Sequence, residues 1–371
     1  MKRRTLSEPT GGPSETVRVQ PTLDLLSSPS IPKTKAIEIL TSPGMMASLF
    51  RTRLPEIFPL GTTMRKCKPR VLRGRQHERQ VVLYEFIYSN PSFCHSRSTA
   101  FVAKRFADRE KGRQEYLVMR TLWEKGFDDQ SDLKIPKPLS FLEDLNLLIQ
   151  ERAHGTLMRD RLTEHSPDAL AAQKAAARWL IKLHAVDGSR ESIRLHPDDE
   201  ISIENWVQGI GCREPEFLPI LEKTASLLIN RYSYFKQTPA NFVHGDFQCD
   251  NIFVENGKVT AIDFGRFCKS DPARDPGYMI AQSRTISLLE TGSFASALPG
   301  LNAFWQEYLA GTAIGEIEML SNRTCVYTAI KLLENIDYIS SFSPGGGKDV
   351  WRSLLEDAER FSKADRLEKC L

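Results

Sequence analysis

Residues 243–265 read VHGDFQCDNIFVENGKVTAIDFG, and this stretch limits what the chain can become more than any other. Asn256-Gly257 sits between two short apolar runs, 252–255 and 258–262. A two-residue Asn-Gly loop suits a type I′ turn, which needs positive φ at both central positions, so the spacing predicts a hairpin. Such a hairpin puts Asn251 just before its first strand and Asp263 just after its second, returning both side chains to one end. An amide oxygen and a carboxylate meeting there are hard donors, suited to magnesium that keeps waters and substrate phosphates. Asp246 lies in the preceding loop, where a carboxylate that is not needed as a ligand can accept a hydroxyl proton and aim the oxygen at phosphorus.

The order His-x-Asp, then Asn five residues on, then Asp-Phe-Gly is the logic of a kinase catalytic loop. Composition alone would produce the H-x-D-x-x-x-x-N half in a chain this long on the order of once in a hundred. The literal DFG at 263–265, behind an Asn-Gly hairpin, makes the competing reading of a polar surface turn a poor one.

The flanking sequence supplies two kinds of structure. Residues 79–88 (RQVVLYEFIY) and 98–106 (STAFVAKRF) are rich in β-branched and aromatic residues, and 68–75 (KPRVLRGR) is a plausible strand partner. Residues 112–126 place Tyr116, Met119, Leu122 and Trp123 on one helical face. Residues 132–155 read as two more strands around a turn at Glu143–Asp144. The remainder is helical: 169–186 first, then about 217–234, 276–290, 301–311, 315–342 and 348–368. The fold class expected is α+β, a small antiparallel sheet with one helix followed by a larger, mainly helical part.

Residues 1–44 differ, with Pro9, Pro13, Pro21, Pro29, Pro32 and Pro43 among Ser, Thr and Gly. Such a segment buries too little to offset its ordering entropy, so a mostly disordered tail is expected, with 35–40 as a short ordered piece. A docking or regulatory arm, carrying Ser-Pro pairs at 28–29 and 42–43, is the functional alternative. Residues 45–54 read as a short amphipathic helix closed by Pro55, within a helical lead-in over 45–65.

Fifty Lys+Arg against 47 Asp+Glu give a net charge of +3, so bulk charge argues for no nucleic-acid partner. Seven scattered cysteines with no C-x-x-C pair speak against a zinc site or a disulfide framework and fit reduced thiols in a cytosol. The start, MKRRTLSEPT, lacks the apolar run of a secretory signal, and no stretch of about 18 apolar residues suggests a membrane span.

HGD in place of HRD, the short spacing to IDFG, the DPARDPG that follows and WLIKLHAVDG at 179–188 together resemble the aminoglycoside phosphotransferase and choline kinase-like family. The resemblance covers about 65–340. It implies a two-lobed, protein-kinase-like fold, with a nucleotide-binding lobe over 66–153 and a catalytic and substrate-binding lobe over 154–371. It further implies an enzyme that uses ATP (or GTP) and Mg2+ to phosphorylate a hydroxyl of an aminoglycoside-, choline- or sugar-like small molecule. Carried over by position, Asp246 is the catalytic aspartate, and His244 packs under the metal-binding loop and orients it. Asn251 and Asp263 are the metal ligands. Lys104 in AFVAKRF reaches the nucleotide phosphates, with Glu115 as its helix partner and Glu110 as the competitor for that place. The backbones of Glu151, Arg152 and Ala153 meet the adenine. Asp275 matches the acid that hydrogen-bonds the catalytic loop, against the plainer reading of a helix N-cap before Pro276.

One departure is the loop GRQHERQ, which holds only Gly74 and no G-x-G-x-x-G. Cys249 inside the catalytic loop reads as a small buried thiol, with a redox switch as the alternative. For the acceptor, 276–345 carries a mild acidic excess: Glu290, Glu307, Glu316, Glu318, Glu334 and Asp337 against Arg284, Arg323 and Lys331. It also carries Trp305, Tyr308, Tyr327 and Tyr338, which are candidates for an aromatic box around a quaternary ammonium or for ordinary core. Two other readings stand beside the small-molecule kinase. One is a catalytically silent kinase fold serving as nucleotide sensor or scaffold, and the other is a kinase of a macromolecular hydroxyl.

Overall fold

The strand Gln80–Ser89 is apolar on both faces, and that fixes its place in the middle of a sheet. The computed structural model describes residues 23, 26, 28, 31–74, 79–92, 95–188, 193–197, 199–235, 238–342 and 347–371. The chain forms two compact units, one from Met1–Arg120 with Pro136–Arg152, the other from Thr121–Ile135 with Ala153–Leu371.

The first unit opens with helices α1 (Lys33–Leu40) and α2 (Pro43–Arg53). Strands β1 (Thr63–Arg73), β2 (Gln80–Ser89) and β3 (Arg97–Arg105) follow, then helix α3 (Arg109–Glu124). The two-residue β4 (Leu133–Lys134) belongs with the second unit, and β5 (Pro138–Leu142) and β6 (Leu147–Glu151) complete the first. The antiparallel sheet runs β1-β2-β3-β6-β5.

Strand alternation sorts the two faces. Val82, Tyr84 and Phe86 of β2, with Phe101 and Ala103 of β3, join the larger core with α1 and α2. Val81, Leu83 and Val102 form a smaller cluster on the other face, and the cross-strand pairing of Val81 with Lys104 puts that lysine beside them.

Helix α1 contains the short ordered piece expected at 35–40 within the Pro-rich stretch 1–44. Pro43 occupies the first turn of α2, where its missing N–H costs nothing. Pro32 stands at the N-cap position of α1. These prolines start helices rather than preventing them, and Ala36, Ile39 and Leu40 are buried. Phe50 packs its ring 4.8 Å from Phe86 and 5.3 Å from Tyr84, while the Tyr84 hydroxyl donates to Leu40 O at 2.7 Å. Arg53 adds a two-pronged contact with Asp144, 2.8 Å in each arm. Residues 1–22 and Pro29 of the expected tail, and residues 75–78 of the glycine-poor loop, lie outside the described residues. We expect Phe50→Ala to cost about 3–5 kcal/mol of unfolding free energy, measurable by urea titration; an unchanged midpoint would show that α2 does not support the sheet.

The second unit continues with β7 (Thr156–Leu157), α4 (Pro167–His184), α5 (Asp199–Arg213) and α6 (Leu218–Phe235). Then come β8 (Asn241–Val243), β9 (Ile252–Glu255), β10 (Lys258–Ala261) and β11 (Cys268–Ser270). Helices α7 (Arg274–Thr291), α8 (Leu298–Ala310), α9 (Ile317–Phe342) and α10 (Lys348–Lys363) close the chain. Its strands pair as β4-β10-β9-β7 and β11-β8. The long helix α9 packs against α7, α10 and α5, with Val326, Ile330, Leu332 and Leu333 buried. No helix among the described residues is long and apolar enough to cross a membrane.

Candidate active site

Backbone geometry at Gly245 explains why the motif is HGD. Gly245 has φ of +74°, and a Cβ there would lie 2.3 Å from Arg266 O, so any side chain would collide with the turn after DFG. The loop is held from below by Asp275, on the first turn of α7. Its carboxylate accepts from the backbone N–H of His244 at 2.8 Å and of Gly245 at 2.9 Å. His184 Nε2 lies 3.0 Å from the same carboxylate, and His184 Nδ1 lies 2.8 Å from the Tyr308 hydroxyl. The N-cap reading of Asp275 does not hold, because Ala273 occupies the N-cap position and the carboxylate faces the loop.

His244 is fully buried among the rings of Trp179, Phe247 and Phe264. Its Nε2 lies 3.1 Å from Ile262 O; a carbonyl only accepts, so that nitrogen donates. His244 thus ties the loop that carries Asp246 to the residue before Asp263.

The hairpin has the turn that its Asn-Gly pair requires, with φ of +50° at Asn256 and +79° at Gly257. Ile252 pairs with Ala261, and Ile262 N–H donates to Asn251 O at 2.9 Å, so the Asn251 and Asp263 backbones finish side by side. Asp263 adopts a left-handed conformation, φ +68° and ψ +72°, unfavourable for a residue with a side chain. Asn251 Nδ2 donates to Asp246 O at 3.0 Å and lies 3.3 Å from Asp246 Oδ2. Its Oδ1 is buried and has no hydrogen-bond partner. A buried acceptor left unmatched costs about 1–3 kcal/mol, and a cation is one partner that would meet it. No three His, Cys, Asp or Glu side chains gather to hold a metal among the described residues. The Asn251 amide oxygen and the Asp263 carboxylate are hard donors of the kind that suits magnesium.

Asp246 stands half-buried at the loop's edge, its Oδ2 also 3.4 Å from Gln248 Nε2. Its Oδ1 lies 3.9 Å from Lys331 Nζ, on α9. Lys331 donates to Glu334 at 2.9 Å, and Glu334 also meets Arg266 at 2.8 Å. Burial alone would raise the Glu334 carboxyl, but Lys331 and Arg266 outweigh it and hold the group down at about 2. This cluster escapes sequence reasoning, which counts Lys331 only as one base within an acidic stretch. Cys249 is completely buried, and burial keeps its thiol far above the ordinary range, so the redox-switch alternative lacks a reactive thiolate.

In the first unit, Lys104 Nζ meets Glu115 Oε1 at 2.6 Å, with side chains only 7% and 0% exposed. Arg79 reaches the other Glu115 oxygen at 3.0 Å. Glu110 is exposed and pairs with Gln114, so Glu115 is the lysine's partner. The Glu151 N–H donates to Lys137 O and the Arg152 N–H to Ala100 O, which occupies both within the sheet. Ala153 begins the second unit and is half-buried.

The aromatic box does not form. Trp305, Tyr308 and Tyr327 are core residues, the first with its indole N–H on Glu368, and only Tyr338 is exposed, against Phe342. Most acids of the same stretch are committed to ion pairs: Glu290 with Arg159, Glu307 with Arg178, Glu318 with Arg366 and Asp337 with Arg213.

The fold has solved relatives. An aminoglycoside phosphotransferase, APH(2'')-Ib in its ADP-bound form, is 15% identical with a TM-score of 0.53, covering 88% of this chain and 99% of its own. A choline/ethanolamine kinase family protein from Mesorhizobium loti is 11% identical with a TM-score of 0.53, covering 88% and 97%. Plasmodium vivax ethanolamine kinase is 13% identical with a TM-score of 0.50, covering 82% and 83%. No curated protein sequence matches the chain. At such identities these likenesses establish the protein-kinase-like fold. The sequence profile described as the phosphotransferase enzyme family matches residues 88–312, well over half of the chain and including Lys104, Asp246, Asn251, Asp263 and Asp275. The chain belongs to the phosphotransferase enzyme family.

Proposed function

We propose that this protein moves the γ-phosphoryl group of ATP, or GTP, to a hydroxyl of a small molecule, using magnesium. The observation that carries the reading is the unmatched Asn251 Oδ1, buried at the end of the hairpin where Asp263 also returns and within the same loop as Asp246. Asn251 and Asp263 would hold the ion, which would supply positive charge to offset that of the phosphate oxygens. Asp246 orients the acceptor hydroxyl and takes its proton. Asp275 and His244 keep Asp246 in register through the loop backbone, which limits the motion that transfer must otherwise overcome. Lys104, fixed by Glu115, presents its ammonium to phosphate oxygens from the Val81–Val102 face of the sheet.

The sensor-or-scaffold alternative has no support in the residues, since the lysine, base and ligand positions all retain their chemistry. The test is transfer of label from γ-labelled ATP to a fractionated metabolite extract, with and without magnesium, beside Asp263→Ala. We expect magnesium-dependent labelling with wild type and none with the variant, whose far-ultraviolet circular dichroism stays native. Transfer by Asp263→Ala at the wild-type rate would remove Asp263 from the metal site.

A further inference from the structure

We propose that the acceptor carries an anionic group, carboxylate or phosphate, beside its hydroxyl, and that Lys331 binds that group next to Asp246. This rests on the kinase reading above and names its substrate class.

The first argument is the gap. At 3.9 Å, Lys331 Nζ and Asp246 Oδ1 attract each other but are too far apart for a hydrogen bond. One of the three ammonium N–H groups is used on Glu334 at 2.9 Å, and the nitrogen lies 5.1 Å from the Tyr278 ring centroid. A hydroxyl bound to Asp246 at hydrogen-bond distance brings the atoms on its neighbouring carbon within reach of the ammonium. An oxygen of the acceptor there completes the lysine's bonds, whereas an amine meets it as a like charge.

The second argument is placement. Lysine ordinarily extends its charge to water, yet the Lys331 side chain is only 7% exposed. Glu334 alone does not account for it, because that carboxylate already has Arg266. Arg194 approaches the same turn, donating to Gly265 O at 3.1 Å from an otherwise exposed side chain. Lys331 and Arg266 thus share Glu334, while Arg194 reaches the backbone of the turn that follows Asp263. The other carboxylate on this face of α9, Asp337, is engaged by Arg213.

In the transfer itself, a bond forms between the acceptor oxygen and the γ-phosphorus while the bond from that phosphorus to the β-phosphate oxygen breaks. The hydroxyl proton passes to Asp246 and the nucleoside diphosphate leaves with the electron pair. Lys331 touches none of the reacting atoms; it fixes the acceptor's charged end.

The experiment measures transfer from γ-labelled ATP, catalysed by the full chain, to glycerate, glycerol 3-phosphate, glycerol, ethanolamine and choline, each beside Asp246→Asn. We expect Asp246-dependent transfer to an anionic probe at a kcat/KM at least about 10-fold above that for glycerol or either amine, with glycerate and glycerol 3-phosphate separating carboxylate from phosphate. Lys331→Met should raise the acceptor KM by about 10–100-fold with the KM for ATP unchanged, and Lys331→Arg should recover part of it. Arg194→Ala, at an exposed side chain, should raise the acceptor KM several-fold with its far-ultraviolet circular dichroism native. Preference for an amine, equal use of glycerol, or an acceptor KM indifferent to both Lys331→Met and Arg194→Ala overturns the proposal. No labelling of any probe, with Asp246-dependent release of phosphate from ATP into water, overturns it and leaves the kinase reading standing. Absence of that release as well removes both.

Discussion

Asp246→Asn is expected to lower kcat by about 10²–10⁴-fold while nucleotide binds as before. The substitution keeps the size of the side chain and an oxygen near Asn251 Nδ2, and the contact from Asn251 Nδ2 to the residue-246 carbonyl at 3.0 Å is untouched. What disappears is the anion that accepts the hydroxyl proton. Single-turnover transfer from γ-labelled ATP, beside calorimetric titration with a non-hydrolysable nucleotide, separates the two effects. Wild-type transfer by the variant would mean that another group serves as base, and weakened nucleotide binding would place Asp246 among the metal ligands.

Asp275→Ala should be the most damaging change among the buried residues that support the site. Its carboxylate is completely buried and takes the His244 N–H, the Gly245 N–H and the His184 ring nitrogen. Removing it leaves these groups unmatched in a dry interior, a loss of about 3–5 kcal/mol. The loop that carries Asp246 then lacks its anchor, so turnover should fall with stability. Asp275→Asn retains one oxygen acceptor and should recover part of both. Urea melts with activity measured on the folded fraction decide this. Full stability of the alanine variant would show that the loop is held by its contact with Arg266 and not by the carboxylate.

The geometry of the loop that carries Asp246 could be read from the sequence because its parts are contiguous. Asp246, Asn251 and Asp263 are close along the chain, and the Asn-Gly turn dictates how they fold back. Helix phase was enough to choose Glu115 over Glu110, since only one of the two points inward at the height of Lys104. Other features depend on partners that no local pattern reveals. Helix α5 carries Gly209 and Gly211, which lower helix propensity and hide the element from a reading of local preference. Strands β4, β7, β8 and β11 span two or three residues each, too short for alternation to show. Lys331 lies far downstream on a helix whose apolar spacing says only that it is buried. Its meaning comes from what the fold sets opposite it.

The position of β2 between β1 and β3 bears on how this protein can be trimmed. A fragment limited to residues 88–312, the extent of the family match, would keep only the last two residues of β2 and none of β1. Phe101 and Ala103 would lose their covering, and β3 would become a raw edge open to pairing between molecules. At the other border the cut would strip α9 from α7 and take Lys331 with it. Sequence kinship thus marks a region that cannot stand alone, and shortened forms should begin before α1 and run through α10.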